Sequence, residues 1–165
     1  MRGMVILYTF TAFLAGIGIG LFARSGRAFA SEQGDAHAAD RAGIEKLRKA
    51  DIEATLTQEP SATTALWSEN GVNLQTPGAP TVGLNALKEF YEKFRSEHPE
   101  FTVLKYSPDF KEIQFVEGWA IEVIDANATF KMSAKDDPIT VQQKLVRVLK
   151  RQSDGSWKFA LVGLK

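Results

Sequence analysis

The chain has 165 residues, about the length of one domain, and its twenty basic residues balance twenty acidic ones. This balance provides no basic field to hold nucleic acid, and the lack of cysteine excludes disulfides, thiolate metal sites and a cysteine nucleophile. Two histidines are too few for a multi-histidine metal site within one chain. We therefore expect one globular domain with no metal, no cofactor and no nucleic acid partner.

The first thirty residues resemble an export signal. Residues 1–30 contain three arginines and no acid, and residues 4–23 are uncharged and mostly apolar. Ala28-Phe29-Ala30 has the small-x-small pattern of a cleavage site, which predicts a signal peptide cut after Ala30. Twenty apolar residues can also cross a bilayer as a helix, so an uncleaved membrane anchor stays open. Either alternative predicts that the domain lies outside the cytoplasm, in the periplasm or secreted. The membrane is an expected partner only if residues 4–23 stay attached to the domain.

Three helices are predicted in the first half of the remaining chain, after a small, polar linker at residues 31–39. Apolar side chains recur at helical spacing in the first and third helices, and Pro60 suits the first turn of the second. The predicted helices cover residues 40–56, 60–67 and 84–97. A short alternating strand is predicted at residues 71–75, and the whole domain is expected over residues 40–165.

The second half of the domain has the alternation of β-strands. The predicted strands are residues 101–106, 111–116, 119–132, 139–151 and 157–164. Pro108 separates the first two, Glu117-Gly118 suggests a bulge, and Asp154-Gly155 suggests a tight hairpin. Helices followed by long antiparallel strands indicate an α+β domain in which the helices cover one face of a curved sheet.

Four stretches resemble motifs of the SnoaL-like and ketosteroid-isomerase-like branch of the nuclear-transport-factor-2-like superfamily. They are Ala50–Ala54 followed by Leu66–Val72, Gly83-x-x-Ala86-Leu87, Val116–Glu122, and Leu149–Lys158. The resemblance covers about residues 40–165. It implies a cone-shaped fold with three N-terminal helices packed on a strongly curved, mostly antiparallel sheet. It also implies a homodimer formed through the outer sheet face.

The same resemblance implies an opening between sheet and helices that holds a small apolar or semi-polar molecule. Its members include isomerases, dehydratases and proteins without known activity, so the fold alone does not decide whether this chain is an enzyme. Two carboxylates frequent in the family are missing, because Gly118 and Asn70 stand at their positions. Chemistry that requires either carboxylate is therefore in doubt.

Two acids are candidates for a catalytic general base. Asp51 lies beside the apolar stripe of the first helix, where burial in a cavity would raise its pKa; the alternative is a solvated or capping acid. Glu122 lies among apolar residues of a strand. It is either a pocket acid or a structural acid paired with Lys144 or Arg147 of the neighbouring strand.

Aromatic and amide side chains are candidates for ligand contact. With Glu122, the predicted ligand-binding residues are Trp67, Asn73, Phe90, Tyr91, Phe94 and Trp119. Gln75 and Gln143 are ambiguous between the pocket and the solvated face, and Tyr91 or Tyr106 is a possible hydrogen-bond donor to an oxyanion. His37 is expected to be free in the linker, and His98 to end the third helix.

Three functional hypotheses follow. The first is an exported small-molecule-binding domain without catalysis. The second is an isomerase or dehydratase that uses Asp51 or Glu122 as its base. The third is a dimeric interaction module that acts through the outer sheet face.

Overall fold

The computed structural model describes residues 37–75 and 78–165, so the predicted export signal lies outside the described residues. The helices of the described part are α1 (Ala38–Thr57), α2 (Pro60–Ala65) and α3 (Leu84–Glu97). Its strands are β1 (Trp67–Asn73), β2 (Thr81–Val82), β3 (Thr102–Val116), β4 (Trp119–Lys131), β5 (Ile139–Arg151) and β6 (Trp157–Leu164). Over these two ranges no helix combines the length and the apolar character needed to span a membrane.

The six strands form one mixed sheet in the order β2-β1-β6-β5-β4-β3. Neighbouring strands run antiparallel except β1 and β6, which pair in parallel. The three helices precede the four long strands in the chain, so the predicted α+β class and the mostly antiparallel sheet are both found.

Two strand predictions differ from the structure. The predicted break at Pro108 is wrong, because β3 runs through it as one strand. β3 lies at the edge of the sheet, where a residue without an N–H group is tolerated because one side of the strand has no partner. The first strand begins at Trp67 rather than residue 71.

The turns also differ in part from their predictions. Glu117-Gly118 is not a bulge but the two-residue turn between β3 and β4, since Val116 pairs with Trp119 across it. Gly118 has φ +70°, a left-handed conformation that favours glycine. The register irregularities lie instead within β3, on either side of residues 104 and 111. Asp154-Gly155 does form a hairpin turn, within a loop of residues 152–156.

The core lies between α1, α3 and one face of the sheet. Strand alternation places every second side chain of β4 on that face, and the helices contribute the apolar side chains at near-helical spacing. The most deeply buried apolar side chains are Ile44, Leu87, Ala120, Ile124 and Leu149. Glu122 is buried on the same face, directly between Ala120 and Ile124 in the alternation. Ion pairs with arginines compensate the charge of this buried acid.

The contact of α1 with β6 depends on Gly43. A Cβ atom at this position would lie 2.7 Å from Cδ1 and 3.2 Å from Nε1 of Trp157. Trp157 is buried, and its indole N–H has no hydrogen-bond partner among the described residues. Glycine is therefore retained inside a helix because only a residue without a side chain lets the indole ring approach the helix this closely.

We expect Gly43→Ala to lower the free energy of unfolding by about 1–3 kcal/mol, because the added Cβ atom would overlap the rigid indole ring of Trp157 and force it to shift. An exposed helical glycine would instead gain about 1 kcal/mol from the same change. Urea denaturation measures the difference, with Ser96→Ala on the exposed part of α3 as the control. An increase in stability for Gly43→Ala would contradict this close packing.

Candidate functional site

A network of ion pairs joins α1 to the neighbouring strands β4 and β5. Glu122 on β4 is fully buried and pairs directly across the sheet with Arg147 on β5. Arg147 donates from Nε to Glu122 Oε2 at 2.9 Å, and its Nη2 donates to the same oxygen. Arg48 on α1 donates from Nε to Oε1 at 2.7 Å, and its Nη2 also donates to that oxygen. Each carboxylate oxygen of Glu122 is thus held by one arginine.

Aromatic rings line the two guanidinium groups of this network. The Arg48 guanidinium lies 4.1 Å from the centre of the Phe110 ring, and that of Arg147 lies 4.9 Å from the centre of the Phe159 ring. Such cation–π contacts compensate in part for the water that the arginines lose on burial. Between the two open alternatives for Glu122, the geometry is that of a paired structural acid with Arg147 as its partner. Lys144 instead approaches Asp125 at 3.8 Å.

Asp51 connects the network, through Arg147, to a cavity between the helices and the sheet. Arg147 Nη1 donates to Asp51 Oδ2 at 2.8 Å, and the Tyr106 hydroxyl donates to the same oxygen at 3.4 Å. The Asp51 side chain is 14% exposed. Burial raises the pKa of Asp51 above its ordinary value of 3.8, against the opposing effect of Arg147. Burial and the nearby Asp51 charge also raise the pKa of Tyr106, which keeps the phenol neutral.

A cavity of about 250 Å³, which we call the polar cavity, opens beside Asp51. Its polar side chains are Asp51, Thr55, Thr63, Gln75, Tyr91, Tyr106, Gln143 and Arg147, and its apolar ones include Trp67, Leu66, Ala126, Ala128, Val141, Leu145, Phe159 and Val162. Burial raises the pKa of Tyr91 to about 12, so this phenol is also neutral near pH 7. The polar cavity therefore offers one acid, one guanidinium and neutral donors within an otherwise apolar wall.

A second cavity of about 350 Å³, which we call the aromatic cavity, lies next to the first. It is formed by the C-terminal end of α1, the start of α2, the C-terminal half of α3 and the beginning of β3. Phe90, Phe94, Phe101, Val103, Pro60 and Arg95 line it, among others. The two cavities share the side chains of Thr55, Thr63, Tyr91, Tyr106 and Ala128. Polar groups thus concentrate on one side of this shared wall and aromatic rings on the other.

The structure brings several predicted site residues together at these cavities. Asp51 and Trp67 line the polar cavity, Phe90 and Phe94 line the aromatic cavity, and Tyr91 lines both. Of the residues that were ambiguous, Gln75, Gln143 and Tyr106 also line the polar cavity. Arg48 was missed, although it follows Ile44 by four residues and therefore shares the sheet-facing side of α1.

Three of the predicted ligand-binding residues do not line either cavity. Trp119 lies on the outer face of the sheet, 39% exposed, where Lys150 approaches its ring at 5.3 Å. Glu122 lies in the core behind Arg147 and is not among the side chains that line either cavity. Asn73 is buried next to the Tyr91 phenol, and its side-chain oxygen accepts from the backbone N–H of Gln75 at 2.9 Å.

The two histidines lie away from Asp51. The expectation of a free His37 is wrong, because its ring stacks on Phe115 with centroids 4.4 Å apart and approaches Asp40 at 3.4 Å. It directly precedes α1, which begins at Ala38 inside the expected linker. His98 follows α3 as expected and contacts the Phe94 ring. Within the described ranges, no group of three or more histidines or acids has the arrangement of a metal site.

Comparison with known proteins gives similarity in structure only. No protein-family model matches the chain, and no curated protein matches it in sequence. A ketosteroid isomerase-like protein from Erwinia carotovora atroseptica has 22% identity and a TM-score of 0.62, and the match covers 73% of this chain and 91% of that one. A Catenulispora acidiphila protein, solved in complex with S-DNPA, has 17% identity and a TM-score of 0.61, with 77% and 92% of the chains covered. Aln2 from a Streptomyces species has 11% identity and a TM-score of 0.62, with 78% and 91% covered.

These matches establish the class of fold. The chain has the cone-shaped, nuclear-transport-factor-2-like architecture seen in ketosteroid isomerase-like and SnoaL-type structures, which confirms the fold that the sequence motifs implied. Sequence identities of 11–22% carry the comparison no further than the fold.

We expect Glu122→Gln to lower the free energy of unfolding by about 3–5 kcal/mol, because the buried Arg147 and the partly buried Arg48 would lose their shared counter-charge. Urea denaturation at pH 7 measures this loss. Glu112→Gln on the exposed edge strand is the matched control and should stay within about 0.5 kcal/mol of the wild type. A loss below about 1 kcal/mol for Glu122→Gln would show that the network is not needed for folding.

We also expect Asp51 to make stability depend on pH in an unusual direction. Because the folded state raises the pKa of this carboxyl, it binds the proton more tightly than the unfolded chain does. The resulting stabilisation is present below the ordinary pKa of 3.8 and is lost as the pH rises through the folded-state value. The free energy of unfolding of Asp51→Asn minus that of the wild type should therefore increase from pH 4 to pH 7. A constant or falling difference would contradict the raised pKa.

Proposed function

We propose that this domain binds a small, semi-polar molecule in the polar cavity. The observation that carries the proposal is the position of Asp51 and Tyr106, which place a carboxylate and a phenol on the wall of an otherwise mostly apolar cavity. Ligand sites of small-molecule-binding proteins have this composition of apolar walls with a few convergent polar groups. A volume of about 250 Å³ restricts the ligand to a small molecule.

The charges around the polar cavity favour a neutral ligand. Arg147 is its only cationic lining residue, and this arginine already pairs with Asp51 and Glu122. An anionic ligand would therefore meet the carboxylate of Asp51 without a free counter-charge. A neutral hydroxyl group instead donates to Asp51 and accepts from a nearby phenol.

A second candidate function is proton transfer with Asp51 as the general base. Its raised pKa and its position on the cavity wall favour this role, because catalytic acids and bases commonly have perturbed pKa values in clefts. Tyr106, within 3.4 Å of Asp51, is the nearest neutral donor to a developing oxyanion. Glu122 is less suited to act as the base, since both of its oxygens accept from arginine.

We also propose that the domain is exported from the cytoplasm and forms a homodimer. The charge pattern of residues 1–30 supports a domain delivered outside the cytoplasm, by a cleaved signal or an anchor. The outer face of the sheet carries Trp119 and Ile121, 39% and 41% exposed, with Val148 and Leu161 beside them. Such a patch suits a symmetric interface between two copies of the chain. Native mass spectrometry of the protein isolated from its native host tests both points. A mass that begins at Ser31 would show cleavage of the signal, and a doubled mass would show a dimer.

Isothermal titration with 2-naphthol, a neutral probe with one hydroxyl group, tests binding in the polar cavity. We expect Asp51→Asn to weaken binding about tenfold, because the hydroxyl loses a charge-assisted hydrogen bond. Ala126→Leu should abolish binding because Ala126 lines this cavity and not the aromatic one.

Two matched controls separate this effect from general damage. Glu53→Gln removes an exposed acid two residues further along α1, and Ala38→Leu adds the same side chain at an exposed position. Both should bind 2-naphthol as the wild type does. Binding that is unchanged by Ala126→Leu would place the probe elsewhere and remove the support for the polar cavity.

Hydrogen exchange of 2-tetralone in D₂O, followed by proton NMR, tests the enzymatic candidate. If Asp51 acts as a base, the protein should accelerate exchange at the carbons next to the carbonyl, and Asp51→Asn should reduce that rate at least about 100-fold. The control Glu53→Gln should retain the full rate. A wild-type rate equal to that of buffer would leave binding without catalysis as the function.

A further inference from the structure

The aromatic cavity contains a single charged side chain. Of the residues that line it, Arg95 alone is ionised at neutral pH, and the others are apolar, aromatic or neutral polar side chains. Arg95 belongs to the last turn of α3 and is partly buried. A guanidinium on the wall of a largely apolar cavity provides a positive charge beside apolar surface, where its attraction for an anion is stronger than in open water.

Arg95 differs from the arginines of the ion-pair network in having no acid as a partner. Its Nη1 donates to the backbone carbonyl oxygen of Phe101 at 3.1 Å. The nearby acids of the same helix are engaged elsewhere, since Glu92 and Glu97 approach Lys88 and Lys93 at 3.8 Å. No ion pair of Arg95 occurs within residues 37–75 and 78–165. Donor groups of Arg95 therefore remain for a ligand, whereas those of Arg147 are occupied by two carboxylates.

The remaining walls determine the rest of the ligand. Phe94 and Phe101 meet edge to face with ring centres 5.1 Å apart, and Phe90 and Tyr91 do so at 5.3 Å. Val103, Pro60 and Ala54 add aliphatic surface. These side chains favour a ligand with an apolar chain or ring. The cavity volume of about 350 Å³ accommodates one short chain or ring system but not a two-chain lipid.

We propose that the aromatic cavity is a second ligand site, which takes a small amphipathic carboxylic acid with its apolar body among Phe90, Phe94 and Phe101 and its carboxylate on Arg95. This site is distinct from the polar cavity and goes beyond the function proposed for it. The C-terminal end of α3 carries a partial negative charge that disfavours an anion. The guanidinium must therefore supply the attraction, and its removal should abolish the preference for an acid over the corresponding alcohol.

Isothermal titration with octanoate and with 1-octanol separates the charge from the apolar chain. The wild-type protein should bind octanoate at least about tenfold more tightly than 1-octanol, the ratio expected for one charge-assisted contact. Arg95→Gln should weaken octanoate binding by about the same factor and leave 1-octanol binding unchanged. Arg95→Lys should retain most of the preference, and Lys93→Gln, an exposed cation on the same helix, should retain all of it.

Several outcomes would overturn this proposal without affecting the polar cavity. Equal affinities for octanoate and 1-octanol, or an octanoate affinity unchanged by Arg95→Gln, would remove the role of Arg95. Octanoate binding that increases in Asp51→Asn would place the acid in the polar cavity instead. Binding of 2-naphthol tests that cavity separately.

A vesicle-binding experiment tests whether the ligand of Arg95 is a free carboxylic acid or the headgroup of an anionic lipid. In sedimentation with phosphatidylcholine vesicles that contain phosphatidylglycerol, the wild type and Arg95→Gln should give the same vesicle-bound fraction, and the vesicles should leave the octanoate affinity unchanged. Vesicle binding that is lost in Arg95→Gln would overturn the assignment to a small acid and indicate an anionic membrane surface.

Discussion

The carboxylate of Glu122 is the group on which the arrangement of this domain depends. It is fully buried on a central strand, so its charge must be compensated inside the protein. Arg147 compensates it from the neighbouring strand, and Arg48 does so from α1. Together these contacts join the first helix to the middle of the sheet. They also set the distance between the two layers at the place where the polar cavity begins.

The same network determines the chemistry of the polar cavity. Arg147 has donors left after binding Glu122, and one of them holds Asp51 at 2.8 Å. Asp51 is therefore a carboxylate with one arginine contact and one phenol contact, and it lines the polar cavity. Burial raises its pKa, whereas Arg147 keeps the charged form accessible. This balance suits either a hydrogen-bond acceptor for a neutral ligand or a base for proton transfer.

Two arginines near the two cavities have opposite roles because their partners differ. Arg147 pairs with two acids and contributes little free positive charge to the polar cavity. Among the described residues, the one hydrogen-bond partner of the Arg95 side chain is the backbone carbonyl oxygen of Phe101, and Arg95 lines the aromatic cavity. Tyr91 and Tyr106 stand between the two compartments. The domain thus presents two neighbouring environments that differ in net charge.

Local signals in the sequence determined the elements with strong periodicity. α3 has the predicted bounds, because its apolar stripe is regular, Gly83 precedes it and Pro99 follows it. β5 and β6 also have their predicted bounds, because loop residues bracket each of them. Pro108 predicts a strand break, and this prediction is wrong because a sequence does not reveal that β3 is an edge strand, where proline is tolerated.

Tertiary structure determines which residues line the two cavities. Trp119 and Glu122 are three residues apart, so a regular strand places them on opposite faces. Only the continuous pairing of residues 119–122 with β3 and β5 shows that no bulge lies between them. Sequence reasoning identified Asp51 and Glu122 as candidate acids, Arg147 as one of two possible partners of Glu122, and the class of fold. It did not find Arg48, because a contact between residues 74 positions apart depends on how the helix lies on the sheet. The residue types could therefore be read from the sequence, whereas packing alone decided that Glu122 is buried between two arginines and that Asp51 faces a cavity.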